Sequence, residues 1–242
     1  NYRKLLLRQF HLNKTNLASV FSLYSHTSKI ISIITYNYSD INKQQASAVH
    51  DPYSIFRYKQ FAKHIIGNNL TILDIGCASG KGGKVLKECN PTNKIIGIDV
   101  VAERIDSVDP NIYDTLICGS ATKIPLQDNS VDVVVAGEFI EHILPSDFDI
   151  ILSEVQRVLN PDGFFLITTP NPNAYLVKMG RDQVLKDPAH VNILSIKQLK
   201  KILSDHSFNC IKIVGSGMAT RLFGEMFPLF GVYGSYLVVA KT

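Results

Sequence analysis

One stretch, residues 73–83, constrains the fold more than any other part of this chain. It reads Leu-Asp-Ile-Gly-Cys-Ala-Ser-Gly-Lys-Gly-Gly and follows an apolar, β-branched run that begins at Leu70. This pattern predicts a buried strand, a tight glycine turn and the start of a helix. Glycines let a backbone pass close to a ligand, and the first turn of a helix has N–H groups that can bind one. The stretch therefore predicts a ligand-binding turn.

A second apolar run, residues 94–99, ends in the carboxylate of Asp99, 23 residues after Gly76. An acidic residue at the end of this strand can accept hydrogen bonds from both hydroxyls of a ribose, as it does in dinucleotide-binding sheets. The nicotinamide-binding fingerprint has the spacing G-x-G-x-x-G, and its second glycine position is Ala78 in this chain. The pair of motifs therefore favours a ribose-containing ligand and argues against a nicotinamide cofactor.

Apolar strands and amphipathic helices alternate along the rest of the chain. Such alternation produces a parallel sheet with helices on both faces. The sequence therefore predicts an α/β fold with a doubly wound, mostly parallel sheet of seven strands. Ser146 and Ser195 are predicted to begin two of the helices as N-caps. Strands are predicted at 70–75, 94–99, 115–118, 131–136, 164–169, 208–214 and 236–240, and helices at 52–66, 81–89, 102–107, 146–159 and 195–206.

Two regions are predicted, an N-terminal helical extension at 1–50, with a polar connector at 37–45, and a main domain at 51–242. A hydrophobic content of 45% and a charged content of 19% argue against disorder. The net charge of +4 comes from basic residues spread along the chain, so nucleic acid is not a predicted partner. No apolar run is long enough to span a membrane, and no signal-peptide pattern is visible. The four scattered cysteines predict reduced thiols and a cytoplasmic protein.

The chain contains five motifs in order: LDIGCASG, IIGIDV, GSATKIPLQDNSVDVVVAGEFIEHI, EVQRVLNPDGFFLITTPN and AHVNILS. Together these motifs resemble the class I S-adenosylmethionine-dependent methyltransferases of type 11 or 12. The resemblance runs from about residue 53 to the C-terminus. Within this family, the chain is similar to bacterial O-methyltransferases of small molecules and sugars. It implies a Rossmann-like sheet whose last strand is antiparallel. It also implies S-adenosyl-L-methionine as cofactor and S-adenosyl-L-homocysteine as product.

The resemblance assigns cofactor-binding roles to positions at the ends of the predicted strands. Ser120 stands where many relatives have an aspartate, and Ala78 stands at the second glycine of the turn, where an alanine fits if its φ is negative. Both changes are expected to lower the affinity without removing binding. By resemblance, Asp74, Gly76, Cys77, Ala78 and Gly80 face the methionine part, Asp99 the ribose, Val100, Ser120 and Ala121 the adenine, and Gly137 the methionine amino group.

Candidate catalytic residues follow the fourth strand and the fifth. Glu138, Glu141 and His142 are predicted to share one side of a one-turn helix, and His190 comes from the loop after strand five. A histidine could take the proton of an acceptor hydroxyl, or the four residues could bind a divalent metal, or the histidines could be structural. The order E-x-x-E-H with a later histidine resembles metal-dependent small-RNA 3′-end methyltransferases, and E-x-x-E-H also resembles ubiquinone-pathway O-methyltransferases. These alternatives stay open at this point.

The favoured function is O-methylation of a small molecule, a sugar or a lipid-linked intermediate, so the predicted partner is a small-molecule or glycan acceptor. One alternative is a metal-assisted RNA 2′-O-methyltransferase, which would need a basic track that the sequence lacks. Another is a non-catalytic, methyltransferase-like regulatory partner. The apolar segment 218–230 is predicted to line an apolar acceptor pocket, to dock on a membrane surface or to cover the sheet edge.

Overall fold

The computed structural model describes residues 38–43 and 53–242. The predicted helical extension and its boundary at residue 50 therefore lie outside the described residues, apart from 38–43. Those six residues form helix α1 (Tyr38–Lys43), so the prediction of a polar connector at 37–45 was wrong there. The described residues from 39 onward form one compact unit. Among the described residues, no helix is long and apolar enough to cross a membrane.

A seven-stranded sheet organises the described part of the chain and confirms the predicted fold class. Its strand order is β3-β2-β1-β4-β5-β7-β6. Neighbouring strands are parallel except at β7, which is antiparallel to both β5 and β6. The strands are β1 (Thr71–Ile75), β2 (Lys94–Asp99), β3 (Thr115–Cys118), β4 (Val131–Gly137), β5 (Leu159–Pro170), β6 (Asn209–Ser216) and β7 (Ser235–Lys241).

Helices cover both faces of this sheet. Alternate residues of one strand enter different hydrophobic clusters, with Leu73 in one and Ile72 in the other. Each inner strand therefore buries both faces, as expected for a doubly wound sheet. The helices after α1 are α2 (Ser54–His64), α3 (Lys81–Cys89), α4 (Ala102–Asp106), α5 (Phe148–Val158), α6 (Tyr175–Lys178), α7 (Ile196–Asp205) and α8 (Thr220–Phe223). Short 3₁₀ turns occur at Ile140–His142, Pro145–Asp147, Gln183–Lys186 and Phe230–Val232.

Helix starts differ from the prediction at α5 and agree with it at α7. Ser195 accepts a hydrogen bond from the N–H of Gln198, and the Gln198 side chain completes a capping box. Ser146, in contrast, lies in the 3₁₀ turn before α5, and its hydroxyl donates to the Asp147 carboxylate at 3.1 Å. The N-cap prediction for Ser146 was therefore wrong, because the proline before it starts a separate turn.

Strand β5 begins earlier than predicted. Residues 160–163, which lie between the predicted helix at 146–159 and the predicted strand at 164–169, are instead part of β5, and the pairing with β4 shifts register between Val131 and Val133. Asp162, with a φ of +67°, lies in this irregular stretch. The turn-forming residues therefore produce a bulge within a strand.

The position of the candidate ligand-binding site follows from the point at which the strand order reverses, between β1 and β4. In open α/β sheets, ligands bind beyond the carboxyl ends of the strands at such a point. Because β6 runs parallel to β5, the segments that follow these two strands, 171–195 and 217–234, leave the sheet at the same edge.

Candidate functional site

The turn after β1 is held in a left-handed conformation. The φ angles of Gly76, Ala78 and Gly80 are +73°, +47° and +79°. A side chain at Gly76 would approach the Phe139 ring to 3.0 Å, so this position accepts no larger residue without a shift. The condition stated for Ala78, a negative φ, is therefore not met. Its methyl group is tolerated at a cost of about 1–2 kcal/mol for an L-residue in this region.

Replacing Ala78 with glycine is expected to raise the free energy of unfolding by about 0.5–1 kcal/mol. Glycine removes the left-handed strain, and its larger unfolded-state entropy offsets about 0.4–1 kcal/mol of that gain. Urea unfolding of the two proteins measures the difference. The control is Ala62→Gly in the interior of α2, where we expect a loss of about 1 kcal/mol. Equal losses of unfolding free energy in both variants would contradict the presence of left-handed strain at Ala78.

Asp99 fixes this turn to the end of β2. Its Oδ2 accepts the Ala78 N–H at 3.0 Å, and its Oδ1 accepts the Val101 N–H at 2.9 Å. The Arg104 guanidinium lies 4.0 Å from Oδ2 and also donates to the Asn42 carbonyl in α1. A carboxylate has about four lone-pair directions, so two hydrogen bonds leave it able to accept more.

Asp74 supports the turn from inside the protein. Its carboxylate is fully buried and accepts the hydroxyl groups of Tyr58 at 2.6 Å and Tyr113 at 2.7 Å. Burial raises the pKa of Asp74 to about 6, although the two tyrosine hydrogen bonds oppose this shift. With no accessible surface on Asp74, the structure does not bring its side chain to the cleft.

We expect the Asp74→Asn variant to change how stability depends on pH. The pKa of Asp74 in the folded protein, about 6, exceeds its ordinary value of 3.8, so the folded state binds more protons between these values. The contribution of Asp74 to the free energy of unfolding therefore falls by about 3 kcal/mol as the pH rises from below 3.8 to above about 6. The asparagine variant lacks this contribution. Urea unfolding of both proteins at several pH values measures it, and parallel stability curves would contradict it.

The other predicted cofactor positions lie around the same edge. Cys77 is buried, and burial raises the pKa of its thiol well above the usual range. The Ser120 hydroxyl lies 2.8 Å from that of Thr122. Val100 is half-buried, Ala121 is buried, and a side chain at Gly137 would approach Arg57 and Tyr58 of α2 to 3.1 Å.

Three of the four predicted catalytic residues are brought together. Ligand atoms of Glu141, His142 and His190 all lie within 4.8 Å of one another, and the two imidazole ring centres are 4.8 Å apart. Glu138 lies outside this 4.8 Å cluster, although its charge acts on Glu141. It has a φ of +53°, precedes the 3₁₀ turn and lies 3.6 Å from the Arg57 guanidinium. The predicted one-turn helix that included Glu138 was therefore wrong.

Glu141 and His142 are held in a largely dehydrated environment. Glu141 Oε2 accepts the Thr169 hydroxyl at 3.1 Å, while its buried Oε1 has no hydrogen-bond partner among the described residues. Burial, followed by the charge of Glu138, raises the pKa of Glu141 well above its usual range. Burial, followed by His190, lowers the pKa of His142 to about 4. A buried carboxyl group thus lies within 4.8 Å of two imidazoles.

The His142 ring has a defined orientation. Its Nδ1 lies 3.0 Å from the Ala189 carbonyl, which can only accept a hydrogen bond. In the neutral ring, Nδ1 therefore carries the proton and Nε2 carries the lone pair. The loop that supplies Ala189 is itself tied down, since the Asn192 N–H donates to the Glu141 carbonyl at 3.0 Å.

Sequence reasoning missed Arg57, Tyr58 and Tyr113. Tyr58 and Tyr113 are 16 and 39 residues from the Asp74 carboxylate that they contact, and no local pattern joins them. Arg57 sits on the predicted helix α2, but only the packing of that helix against Gly137 brings it to Glu138.

Comparison with known proteins identifies the family to which the residues around this site are similar. The family described as "Methyltransferase domain" matches residues 73–167, from β1 to β5. The chain contains a class I S-adenosylmethionine-dependent methyltransferase domain. A crystal structure described as a SAM dependent methyltransferase from Archaeoglobus fulgidus matches this methyltransferase domain with a TM-score of 0.62. It covers 86% of this chain and 100% of that one at 21% identity, a level that shows the fold alone.

Two curated relatives, both from Mycolicibacterium smegmatis, match the methyltransferase domain. One is named a probable S-adenosylmethionine-dependent methyltransferase and is 32% identical over 159 residues, covering 65% of this chain and 58% of the relative. The other, a fatty-acid O-methyltransferase, is 32% identical over 123 residues, covering 50% of this chain and 44% of the relative. The chain thus spans about half the length of these relatives.

Proposed function

We propose that this protein transfers the methyl group of S-adenosylmethionine to an oxygen of a small acceptor such as a sugar hydroxyl or a lipid carboxyl group. The observation that carries this proposal is the cluster of Glu141, His142 and His190 beside the glycine turn. The fatty-acid O-methyltransferase relative supports an oxygen acceptor. The four cysteines are free thiols, which supports a reducing compartment such as the cytoplasm.

The residues present fit the cofactor. Gly76 leaves a cradle that a side chain would fill, and Asp99 retains acceptor capacity beside it. When bound, S-adenosylmethionine supplies a methyl group on an activated leaving group. The chain's own work is then to align the acceptor with the methyl group, to exclude water and to hold the acceptor's proton. His142 Nε2, with its lone pair, is the atom that would accept that proton.

Purified protein incubated with S-adenosylmethionine and a panel of sugars, fatty acids, phenols, amines and carbon nucleophiles tests this function. We expect formation of S-adenosylhomocysteine only with an acceptor that has a free hydroxyl or carboxyl group, and a matching mass increase of one methyl group. Methylation of nitrogen or carbon acceptors alone would contradict the oxygen assignment. Binding of the cofactor without turnover on any acceptor would favour a regulatory protein.

A divalent cation at Glu141, His142 and His190 is a second candidate role for the cluster. Its donors are one carboxylate and two imidazoles, a set that suits magnesium, manganese or iron. The buried Glu141 Oε1 without a hydrogen-bond partner is the observation that favours it, because a cation would satisfy that oxygen. The Ala189 carbonyl at His142 Nδ1 is the type of outer contact that orients a ligating histidine. Such an ion would lower the pKa of an acceptor hydroxyl.

A further inference from the structure

Large hydrophobic side chains are exposed mainly on one part of the described surface. Among the described residues, eleven of the fourteen exposed ones lie in the segments 53–56, 175–179 and 218–229. We call these three segments together the apolar rim. Its most exposed side chains are Leu222 at 83%, Met179 at 77% and Met226 at 70%. Single exposed apolar residues are normal, but a grouped set marks an interaction surface.

The three segments of the apolar rim adjoin one another. The Arg221 guanidinium lies 5.0 Å from the centre of the Phe56 ring, which joins the third segment to the first. The Tyr175 ring packs on the backbone of Gly231, since a side chain there would lie 2.6 Å from it. The exposed side chains therefore belong to one region of the surface rather than to three separate patches.

The apolar rim lies beside the candidate active site. Phe56 of the rim precedes Arg57, whose guanidinium is 3.6 Å from Glu138. Asn171, directly after β5, donates to the carbonyls of Phe230 and Tyr233 at 3.1 Å, which fixes the segment 217–234 to the edge where the site lies. An acceptor held at the rim would therefore be close to the Glu141 cluster.

The three segments of the apolar rim and the residues that flank them carry an excess of basic residues. The stretches 53–64, 171–186 and 217–234 contain seven lysine and arginine residues but two carboxylates, a formal charge of +5, while the whole chain carries +4. Both carboxylates are paired within the chain, Glu225 with Lys63 and His64, and Asp182 with Lys186. Lys59, Lys178, Arg181 and Arg221 are exposed.

We propose that the apolar rim docks on the surface of a membrane that contains anionic lipids. Exposed methionine, leucine and aromatic side chains can enter the boundary between headgroups and acyl chains, while surrounding lysine and arginine side chains meet lipid phosphates. A second copy of the chain is a poorer occupant, because it would present the same positive charge. The acceptor is then an amphiphile that resides in the membrane surface, and this part of the inference rests on the proposed function.

Sedimentation with vesicles tests the docking without any cofactor. We expect the protein to sediment with vesicles of mixed phosphatidylcholine and phosphatidylglycerol, more weakly with phosphatidylcholine alone, and less as salt is added. The double variant Leu222→Asp, Met226→Asp should weaken vesicle binding by about tenfold or more, because it places charge where apolar contact is needed. The double variant Lys178→Glu, Arg181→Glu should remove the preference for the anionic vesicles.

The matched control is the double variant Ile66→Asp, Ile150→Asp, which changes exposed side chains outside the rim (89% and 50% exposed) and should sediment like the unmodified protein. Circular dichroism confirms that each variant is folded. Absence of sedimentation with both vesicle types, or an equal loss in the control, would overturn the proposal. So would a dimer in sedimentation velocity that Leu222→Asp dissociates. Calorimetric binding of S-adenosylhomocysteine by the same proteins tests the proposed function separately, since it does not require vesicles.

Discussion

Replacing Asp99 with alanine is expected to weaken the binding of S-adenosylhomocysteine by about 100-fold or more. Two hydrogen bonds from ribose hydroxyls to a carboxylate contribute about 1.5 kcal/mol each at the lower end of the range for charged groups, and about 3 kcal/mol corresponds to 100-fold. The variant also frees the Ala78 and Val101 N–H groups that the carboxylate holds. Isothermal titration calorimetry measures the change in Kd.

Asp132 provides the matched control for this substitution. Its carboxylate also accepts two hydrogen bonds, from the Thr71 N–H at 2.8 Å and from the Asn160 side chain at 2.7 Å, but it lies at the start of β4, the opposite edge of the sheet. Asp132→Ala should lower stability and leave the affinity for S-adenosylhomocysteine within about threefold. An unchanged affinity in Asp99→Ala would contradict the assignment of Asp99 to the ribose. An equal loss of affinity in both variants would show that the effect of Asp99→Ala comes from general destabilisation of the fold.

The sheet was predictable because its strands are short, continuous apolar runs. β2 matches the predicted bounds, since a strand buried on both faces must be apolar throughout. The edge strand β3 also matches its predicted bounds, although its end residues are exposed and its two middle residues are half-buried. The start of α5 was not predictable from Ser146, because Pro145 begins a 3₁₀ turn that competes for the same residues. Helix α1 was missed because its six residues are mostly polar, and Arg104 and Glu103 of α4 contact it across a long sequence separation.

The candidate site was partly predictable for the same kind of reason. Glu141, His142 and His190 follow adjacent parallel strands, and the rule that carboxyl ends share one edge is sufficient to collect them. The separation of Glu138 from this group depends on its φ of +53° and on Arg57, neither of which a local pattern reveals. The same holds for Asp74, whose role changes from facing a ligand to supporting a turn once Tyr58 and Tyr113 are placed.

The second large effect is expected at His142. His142→Asn retains a side-chain N–H that can donate to the Ala189 carbonyl and removes Nε2. We expect turnover to fall by about 10²–10⁴-fold, the usual contribution of a positioned proton acceptor. The affinity for S-adenosylhomocysteine should stay within about threefold, because Asp99 and the glycine turn hold that ligand. Initial rates with an acceptor identified from the panel, together with calorimetry, measure both quantities.

His206 provides the control for His142. Its Nδ1 also bonds a carbonyl, that of Ile202 at 2.9 Å, and its Nε2 lies 3.1 Å from Asp149, away from the glycine turn. His206→Asn should therefore retain full turnover, and full turnover in His142→Asn would exclude His142 from the reaction.

Titration with Mn²⁺ separates the two proposed roles of the cluster of Glu141, His142 and His190, proton transfer and cation binding. If the cluster binds a cation, Glu141→Gln should weaken Mn²⁺ binding by about 100-fold and a chelator should abolish turnover of the unmodified protein. Turnover that persists in the chelator, and is lost only in His142→Asn, assigns the proton transfer to the imidazole alone.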